Sequence, residues 1–364
     1  MAIVIVQQPD TLSLSGNLKD LVVQTDSALQ VTLSTGSDTV LDETYYPGNG
    51  NLVHLNFSDV INAYLAYSLP NTDIYLQTKL SAAFTVSLTN HTDNKTLSFS
   101  AIKGGKLHLN ESASQFLKGN FLTWQPIQKQ VTYYSPEWLT YYAPSACSIM
   151  LKAYWEDGST TLKTVVSPSA GNCYTVNLQY AVVSGMFDGK RPMYYDVWVE
   201  SGGARLTYVQ RYVASELQSD NEHWFLFENS LGGMDSVRAY GSQTDDPEYD
   251  YHMALRGNEG ENYRIDVERV RSVNTGYLTP EETRWLQDLF ATRKAYVYTA
   301  TGLYPIVLTA GEGATEGDDE PSSFSFGYRF ADVRPYLDIQ RRTDLPENLT
   351  IPVPTGETFF CPHA

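Results

Sequence analysis

Cysteine is scarce in this sequence, with only Cys147, Cys173 and Cys361 among 364 residues. Three cysteines do not form the disulfide framework typical of small secreted domains. No stretch approaches the roughly 20 apolar residues that a transmembrane helix needs. The opening residues, MAIVIVQQPD, lack the basic and long apolar regions of a secretory signal. We therefore expect a chain made in the cytoplasm without a signal peptide and without membrane insertion.

Positive charge is also sparse. Lys and Arg number 25 against 42 Asp and Glu, so the formal net charge is −17. The negative electrostatic field of such a chain repels polyphosphate. The charge therefore argues against a general nucleic-acid partner and against adhesion to an anionic membrane.

Catalytic motifs are missing as well. The sequence contains no H-E-x-x-H, C-x-x-C, G-x-S-x-G or phosphate-loop pattern, and its six histidines lie singly. Two acidic clusters carry the oxygen ligands that calcium prefers, but neither has EF-hand spacing, and solvated loops are favoured for both. We expect no enzymatic activity, no cofactor and no bound metal. The clusters are Asp245, Asp246, Glu248 and Asp250, in a proline-containing loop, and Glu316, Asp318, Asp319 and Glu320.

Aromatic and β-branched residues are plentiful, with 26 Tyr, 14 Phe and 6 Trp in a chain that is 42% hydrophobic. These side chains suit pleated sheets, and the chain length suits two or three domains. We predict a mainly β fold, with tandem β-sandwich domains followed by a smaller α+β domain that has one amphipathic helix. The predicted boundaries are 1–105 and 131–217 for the two sandwiches, 106–130 for a connector, 218–345 for the α+β domain and 346–364 for an extended arm.

Alternating apolar residues locate the strands. In the second sandwich Ile149, Leu151 and Ala153 alternate with polar neighbours before an Asp157-Gly158 turn, which predicts a hairpin. A further alternating run, Val176, Leu178, Tyr180 and Val182, predicts another strand.

The strongest helix signal lies in the third region. Thr279, Pro280 and Glu282 form a capping-box sequence with proline at the first helical position. The following apolar residues fall on one face, which must pack on a sheet. They are Trp285, Leu286, Leu289 and Phe290.

Two segments are candidate sites, both structural. Gly232, Gly233 and Asp235 form a turn after an apolar strand, where paired glycines permit positive φ or close backbone approach. A structural turn is favoured there, and contact with a partner or ligand is left open. The terminal arm carries apolar side chains between prolines, which prevent a helix, so we expect it to contact a neighbouring subunit or to fold back on its own chain. Its candidate interface residues are Ile351, Val353, Phe359 and Phe360.

Three parts of the sequence together resemble the tail structural proteins carried by phages and prophages of Bacteroidota bacteria. They are FLTWQP (121–126) with YYSPEWL (133–139), ENSLGGMD (228–235), and LTPEE (278–282) with ADVRPY (331–336). The resemblance implies a non-enzymatic tail-tip or baseplate component in the virion, built from β-sandwich modules and assembled into a symmetric tail. It implies no catalytic or binding residues.

The expected partners are therefore further copies of the chain, in a symmetric oligomer, and other tail proteins. An alternative is a carbohydrate-binding or receptor-binding β-sandwich protein that contacts a host surface glycan, since exposed Tyr and Trp stack well on sugar rings. A glycan-active enzyme ranks last. Fold alone does not choose among these three classes.

Overall fold

Strands dominate the computed structural model, which describes residues 2–217, 219, 222–299, 302–313 and 322–332. Strands account for 51% and helices for 12% of the structure, arranged in several sheets. The prediction of a mainly β chain with tandem sandwiches is confirmed.

The first unit is a sandwich of a three-stranded sheet, β1-β3-β6, and a five-stranded sheet, β2-β9-β8-β4-β5. Leu29, Val31 and Leu33 alternate inward along β4 and pack in the core between the sheets. The elements are β1 (Val4–Gln7), β2 (Leu12–Leu14), β3 (Leu21–Gln24), β4 (Leu29–Thr35), β5 (Asp38–Tyr45), β6 (Leu52–Leu55), α1 (Ser58–Tyr64), β7 (Ile74–Leu76), β8 (Ser81–Thr89), β9 (Asn94–Ile102) and, after the sandwich, α2 (Ala113–Gly119).

The second unit is a sandwich with its own core, in which Ile149, Leu151 and Ala153 face inward. Its elements are β10 (Gln128–Val131), β11 (Trp138–Ala143), β12 (Ser148–Tyr154), β13 (Thr160–Val166), β14 (Asn172–Asn177), α3 (Tyr180–Met186), β15 (Tyr194–Ser201), β16 (Ala204–Arg205) and β17 (Gln210–Ala214). One sheet has the order β10-β17-β15-β12-β13, with β16 beside β15, and the other β11-β14-β7. Strand β7 thus comes from the first unit and extends a sheet of the second.

One predicted strand in this unit is wrong. Val176 lies in β14, but Tyr180 begins the helix α3 instead of continuing the strand. Tyr180, Val183 and Ser184 are the buried residues of α3, which is the i, i+3, i+4 spacing of a helix. Val182, which the alternating pattern placed on the same face as Tyr180, is only half-buried in this helix, because residues two apart lie on nearly opposite sides of a helix.

The third unit is one antiparallel sheet of seven strands, β19-β18-β22-β23-β24-β21-β20, with a helix packed on it. The helix begins at Pro280 with both capping-box hydrogen bonds present, as predicted, and it buries Trp285, Leu286 and Leu289. The elements are β18 (His223–Glu228), β19 (Met234–Ala239), β20 (Gln243–Arg256), β21 (Glu259–Asn274), α4 (Pro280–Ala291), β22 (Ala295–Thr299), β23 (Gly302–Gly313) and β24 (Phe324–Phe330).

A fourth apolar core joins the three units, and we call it the junction. All three units and the segment between the sandwiches contribute to it, so the predicted connector packs into a core as well as linking two domains. Apolar contact on this scale between domains opposes their relative motion. The junction consists of Leu14, Tyr67, Leu80, Ile102, Phe116, Leu117, Leu122, Tyr142, Cys173, Leu226, Leu231 and Met234.

Candidate functional site

The predicted Gly-Gly turn lies at the junction, between β18 and β19. Gly232 has φ +81°, and a Cβ atom there would stand 2.2 Å from the carbonyl oxygen of Lys103 in the first unit. A Cβ on Gly233 would stand 2.1 Å from the carbonyl oxygen of Leu122. No side chain fits at these distances. The two glycines therefore let the backbones of three parts of the chain meet.

Hydrogen bonds hold the turn in place. The Asn229 side chain donates from Nδ2 to the Leu122 carbonyl (2.9 Å), and its Oδ1 accepts from the backbone N–H of Leu231 and of Gly233, both at 3.0 Å. The Gly105 N–H donates to the Ser230 carbonyl at 2.7 Å. Sequence reasoning did not single out Asn229. An asparagine that precedes a glycine turn is nevertheless a known signal, because its side chain bonds nearby backbone amides.

A buried ion pair that sequence reasoning missed lies beside this turn. The Nζ atom of Lys129 in β10 is 2.9 Å from the Glu137 carboxylate, and both side chains are 6% exposed or less. Nζ also donates to the carbonyl (2.6 Å) and the hydroxyl (2.9 Å) of Ser236 in β19. The Ser236 hydroxyl donates to the second Glu137 oxygen at 2.8 Å. Burial raises the pKa of Glu137, and the nearby Lys129 ammonium opposes that rise.

Asp235 is buried next to this pair. Its carboxylate accepts from the indole Nε1 of Trp285 in α4 at 2.8 Å, and the Lys129 ammonium stands 5.1 Å from the Trp285 ring centroid. Burial raises the pKa of Asp235 to about 6, a rise that its hydrogen bond from Trp285 opposes. A general acid must reach a substrate, yet Lys129, Glu137 and Asp235 are each 5% exposed or less. The arrangement fixes the second and third units against each other.

A long β-ribbon, formed by β20 and β21, projects from the third unit. Strand β21 pairs with β24 only over Arg271–Asn274, whereas it pairs with β20 from Glu259 to Val273. The ribbon beyond this point, residues 245–270, has about 12 residues in each strand, a length of roughly 40 Å. An isolated two-stranded hairpin is at best marginally stable in water.

The two faces of the ribbon differ in polarity from Tyr249 to the tip, whereas nearer the sheet Asp245, Arg269 and Arg271 lie on the same face as Tyr249. Residues paired across the strands point to the same face, so Tyr249 with Val267 and Tyr251 with Ile265 share one face. Met253 and Leu255 continue it toward the tip. We call this surface the apolar face and define it by its most exposed members, which are between 48% and 76% exposed: Tyr249, Tyr251, Met253, Leu255 and Ile265.

The opposite face carries charge. His252 lies 2.9 Å from the Asp266 carboxylate, and the Arg264 guanidinium lies 2.7 Å from the other oxygen of the same group. Glu248 stands directly across from Glu268, which pairs with Arg329 of β24. Asp266 and Glu268 on this face thus have ionic partners within the third unit. An exposed aromatic ring, Tyr263, also lies beside His252, with ring centroids 6.0 Å apart.

The first acidic cluster was predicted wrongly as a loop, since Asp245 to Asp250 form part of β20. Strand β20 is one of the two outer strands of the sheet, and an outer strand tolerates a proline such as Pro247. Asp245 faces Arg269 and Arg271 at 4.0 and 3.6 Å, so its charge is already paired. Among the described residues, no three or more His, Cys, Asp or Glu side chains cluster closely enough to hold a metal ion.

Other predicted sites fall outside the described residues. These are the acidic cluster at 316–320, the arm residues Ile351, Val353, Phe359 and Phe360, and the whole of 346–364. Cys147 and Cys173 are free and buried, and burial raises the pKa of Cys173 to about 12. Within the described part of the chain, none of the helices has the length and apolarity of a membrane span.

Aromatic side chains on the outer face of the second sandwich bear on the carbohydrate alternative. The rings of Tyr154 and Tyr194 are stacked on each other, with centroids 4.2 Å apart. The Lys152 ammonium lies 4.9 Å from the Tyr154 centroid, and the Arg211 guanidinium 4.5 Å from that of Tyr194. A sugar stacks on a free ring face, and these rings are already engaged with each other and with cations.

No protein-family model and no curated protein matches the chain. Solved structures with some likeness include tandem immunoglobulin-type proteins. A titin Ig tandem is 8% identical and has a TM-score of 0.22, over 58% of this chain and 96% of that one. Extracellular domains 3–5 of Drosophila OTK are 9% identical with a TM-score of 0.25, over 83% and 95%. Likenesses this weak identify neither a family nor a function for the chain.

Proposed function

We propose that this protein is a non-enzymatic structural component of a phage tail, at the tail tip or baseplate, and that it assembles with itself and with other tail proteins. It would then belong to the virion. The observation that carries the assembly role is the apolar face of the ribbon.

The apolar face has the properties of an interaction surface. Two tyrosines, a methionine, a leucine and an isoleucine lie together on a structure that stands away from the body of the chain. Contiguous exposed apolar patches of this kind mark contact sites on proteins. Tyrosine and methionine are also enriched in protein interfaces. A partner that covers one face of a ribbon of this length would stabilise it, because two strands alone are marginally stable in water.

The segments that carry the resemblance to tail proteins support the same proposal. The segment 228–235 forms the turn at the junction, 133–139 contains Glu137, and 278–282 contains the capping box of α4. Trp124, in the segment 121–126, donates from Nε1 to the Ser230 hydroxyl at 2.9 Å. The segments 121–126, 133–139 and 228–235 thus contain residues that hold the units in one arrangement, as a load-carrying part requires, whereas 278–282 lies within the third unit and 333–336 lies outside the described residues.

The test is to look for the protein in assembled particles. Tails purified from a lysate of the phage or induced prophage would be analysed by mass spectrometry and by immunogold electron microscopy with an antibody against the second sandwich. We expect the protein in stoichiometric amount, with label at the distal end of the tail. Its absence from purified tails, together with selective binding on a glycan array, would favour the carbohydrate-binding alternative.

A further inference from the structure

We propose that the apolar face of the ribbon docks on the apolar face of the ribbon in a second copy of this chain, face to face about a two-fold axis. The inference rests on the proposed role in assembly and names the partner and the contacting surface. A self-complementary patch of this sort is what a two-fold interface requires, because each copy presents the same residues to the other.

The size of the apolar face fits a dimer contact. Its five most exposed side chains, at about 200 Å² each and 48–76% exposed, offer on the order of 600 Å² per copy. Two such faces would bury about 1,200 Å² in total, which is at the lower limit of specific interfaces. Half-buried Val267 and the neighbouring backbone add to this area.

Charge selects this face over the opposite one. Each copy carries a formal charge of −17, so two copies repel each other wherever their acidic surfaces meet. The five residues of the apolar face carry no charge at neutral pH. Packing there leaves the charged face of each ribbon, with Asp250, Asp266 and Glu268, in water on the outside of the pair.

Charge also disfavours the other obvious contact, the pairing of β20 with β20 along their outer edges. Strand β20 has an open edge, because β21 alone pairs with it among the described residues. Edge pairing around the middle of the strand would bring Asp246, Glu248 and Asp250 of the two copies close together. Like charges directly opposite each other destabilise a sheet. Two faces packed about 10 Å apart avoid that repulsion.

The chain offers a matched pair of substitutions as a test. Met253 belongs to the apolar face, whereas Ala254, its neighbour, points to the charged face and is also exposed. Met253→Glu and Ala254→Glu therefore add the same charge one residue apart on opposite faces. Purified wild type and both variants would be compared by analytical ultracentrifugation between about 1 and 100 μM, a range that brackets micromolar affinity. Circular dichroism would verify that the three proteins are equally folded.

We expect wild type to reach the mass of two 40.8 kDa chains. Met253→Glu should raise the dimer dissociation constant about 100-fold or more, because each copy would bury a charge without a partner. Ala254→Glu should change it by less than about threefold, as an exposed charge outside the contact does. A photo-crosslinking residue at Tyr251, in a mixture of isotope-labelled and unlabelled chains, should crosslink between copies to residues 249–267.

A wild type that stays monomeric at about 100 μM, where a micromolar contact is saturated, would overturn the inference. So would an oligomer that survives Met253→Glu, or one that Ala254→Glu disrupts equally. Failure here is distinguishable from failure of the proposed function. A monomer that is nevertheless found in purified tails refutes the ribbon contact alone, whereas a ribbon dimer that is absent from tails refutes the tail assignment alone.

Discussion

Removal of the buried ammonium of Lys129 should destabilise the fold far more than removal of an equally close ammonium at the surface. Lys129 and Glu137 are 2.9 Å apart, with side chains 6% and 1% exposed. Lys19 and Asp10 are 2.8 Å apart, with side chains 56% and 54% exposed. The two pairs have the same chemistry and spacing and differ in burial.

The expected cost follows from what each substitution leaves behind. In Lys129→Met, the Glu137 carboxylate stays buried with the Ser236 hydroxyl as its remaining donor. Loss of one partner of a buried pair costs about 3–5 kcal/mol of the free energy of unfolding. In Lys19→Met, the Asp10 carboxylate remains in water, and the cost should be below about 1 kcal/mol.

The cost of Lys129→Met should also depend on pH. Burial already raises the pKa of Glu137 in the wild type, and loss of the ammonium removes a group that opposes the rise. A raised pKa means that the fold disfavours the carboxylate. The penalty is therefore full above the folded pKa and is lost as pH falls through it toward the ordinary glutamate value of 4.5. Lys129→Met should lose less stability at pH 5 than at pH 8.

Urea denaturation followed by tryptophan fluorescence at pH 5 and pH 8 measures both effects, with Lys19→Met as the control. The double variant Lys129→Met/Glu137→Leu should recover much of the loss at pH 8, since it removes both charges. Equal costs for Lys129→Met and Lys19→Met would refute the reasoning from burial. A large cost that is the same at both pH values would refute the role assigned to Glu137.

Three further predictions concern the Gly-Gly turn, Asp235 and the start of helix α4. Gly233→Ala should lower the free energy of unfolding by at least about 2 kcal/mol, because the new Cβ would overlap the Leu122 carbonyl. Gly185→Ala in helix α3, where a Cβ meets open space, should raise the free energy of unfolding by about 0.5–1 kcal/mol, measured by thermal or urea unfolding. Burial raises the pKa of Asp235 from 3.8 to about 6 and so disfavours its carboxylate in the fold. As pH rises from 4 to 7, wild type should therefore lose up to about 3 kcal/mol of unfolding free energy relative to Asp235→Asn in urea titrations. A stability difference between the two proteins that does not change with pH would contradict this. Thr279→Ala should lower the free energy of unfolding by about 0.5–2 kcal/mol, because the threonine hydroxyl accepts from the Glu282 N–H. Thr279→Ser keeps a hydroxyl and should cost little. Equal losses of stability for the two variants in thermal unfolding would argue against the cap.

Local patterns in the sequence predicted much of the fold. The alternation of Ile149, Leu151 and Ala153 gave β12, and the capping-box residues gave the start of α4. These features depend on neighbours a few residues apart, which a single sequence displays. Gly232 and Gly233 were identified for the same reason, since paired glycines are conspicuous wherever backbone must approach backbone.

Other features depend on contacts between distant residues, and no local pattern announces them. Strand β7 pairs with β14 about 100 residues later. Lys129 and Ser236 are separated by 107 positions, and charged residues usually lie at the surface, so nothing near Lys129 indicates burial. The acidic run 245–250 has the composition of a loop, because proline and carboxylates suit a strand only at a sheet edge.

The Lys129–Glu137 pair and the ribbon reverse the usual distribution of polar and apolar residues in opposite ways, since one buries charge and the other exposes apolar side chains. A buried ion pair adds little net stability, since apolar residues of similar volume would serve as well. Lys129, however, bonds to Glu137 in the second unit and to Ser236 in the third, and one alignment of the two units satisfies all of its bonds. That alignment fixes the direction of the ribbon relative to the second unit. A fixed direction of this kind raises the affinity between two copies that bind through the ribbon, because less orientational freedom is lost on association.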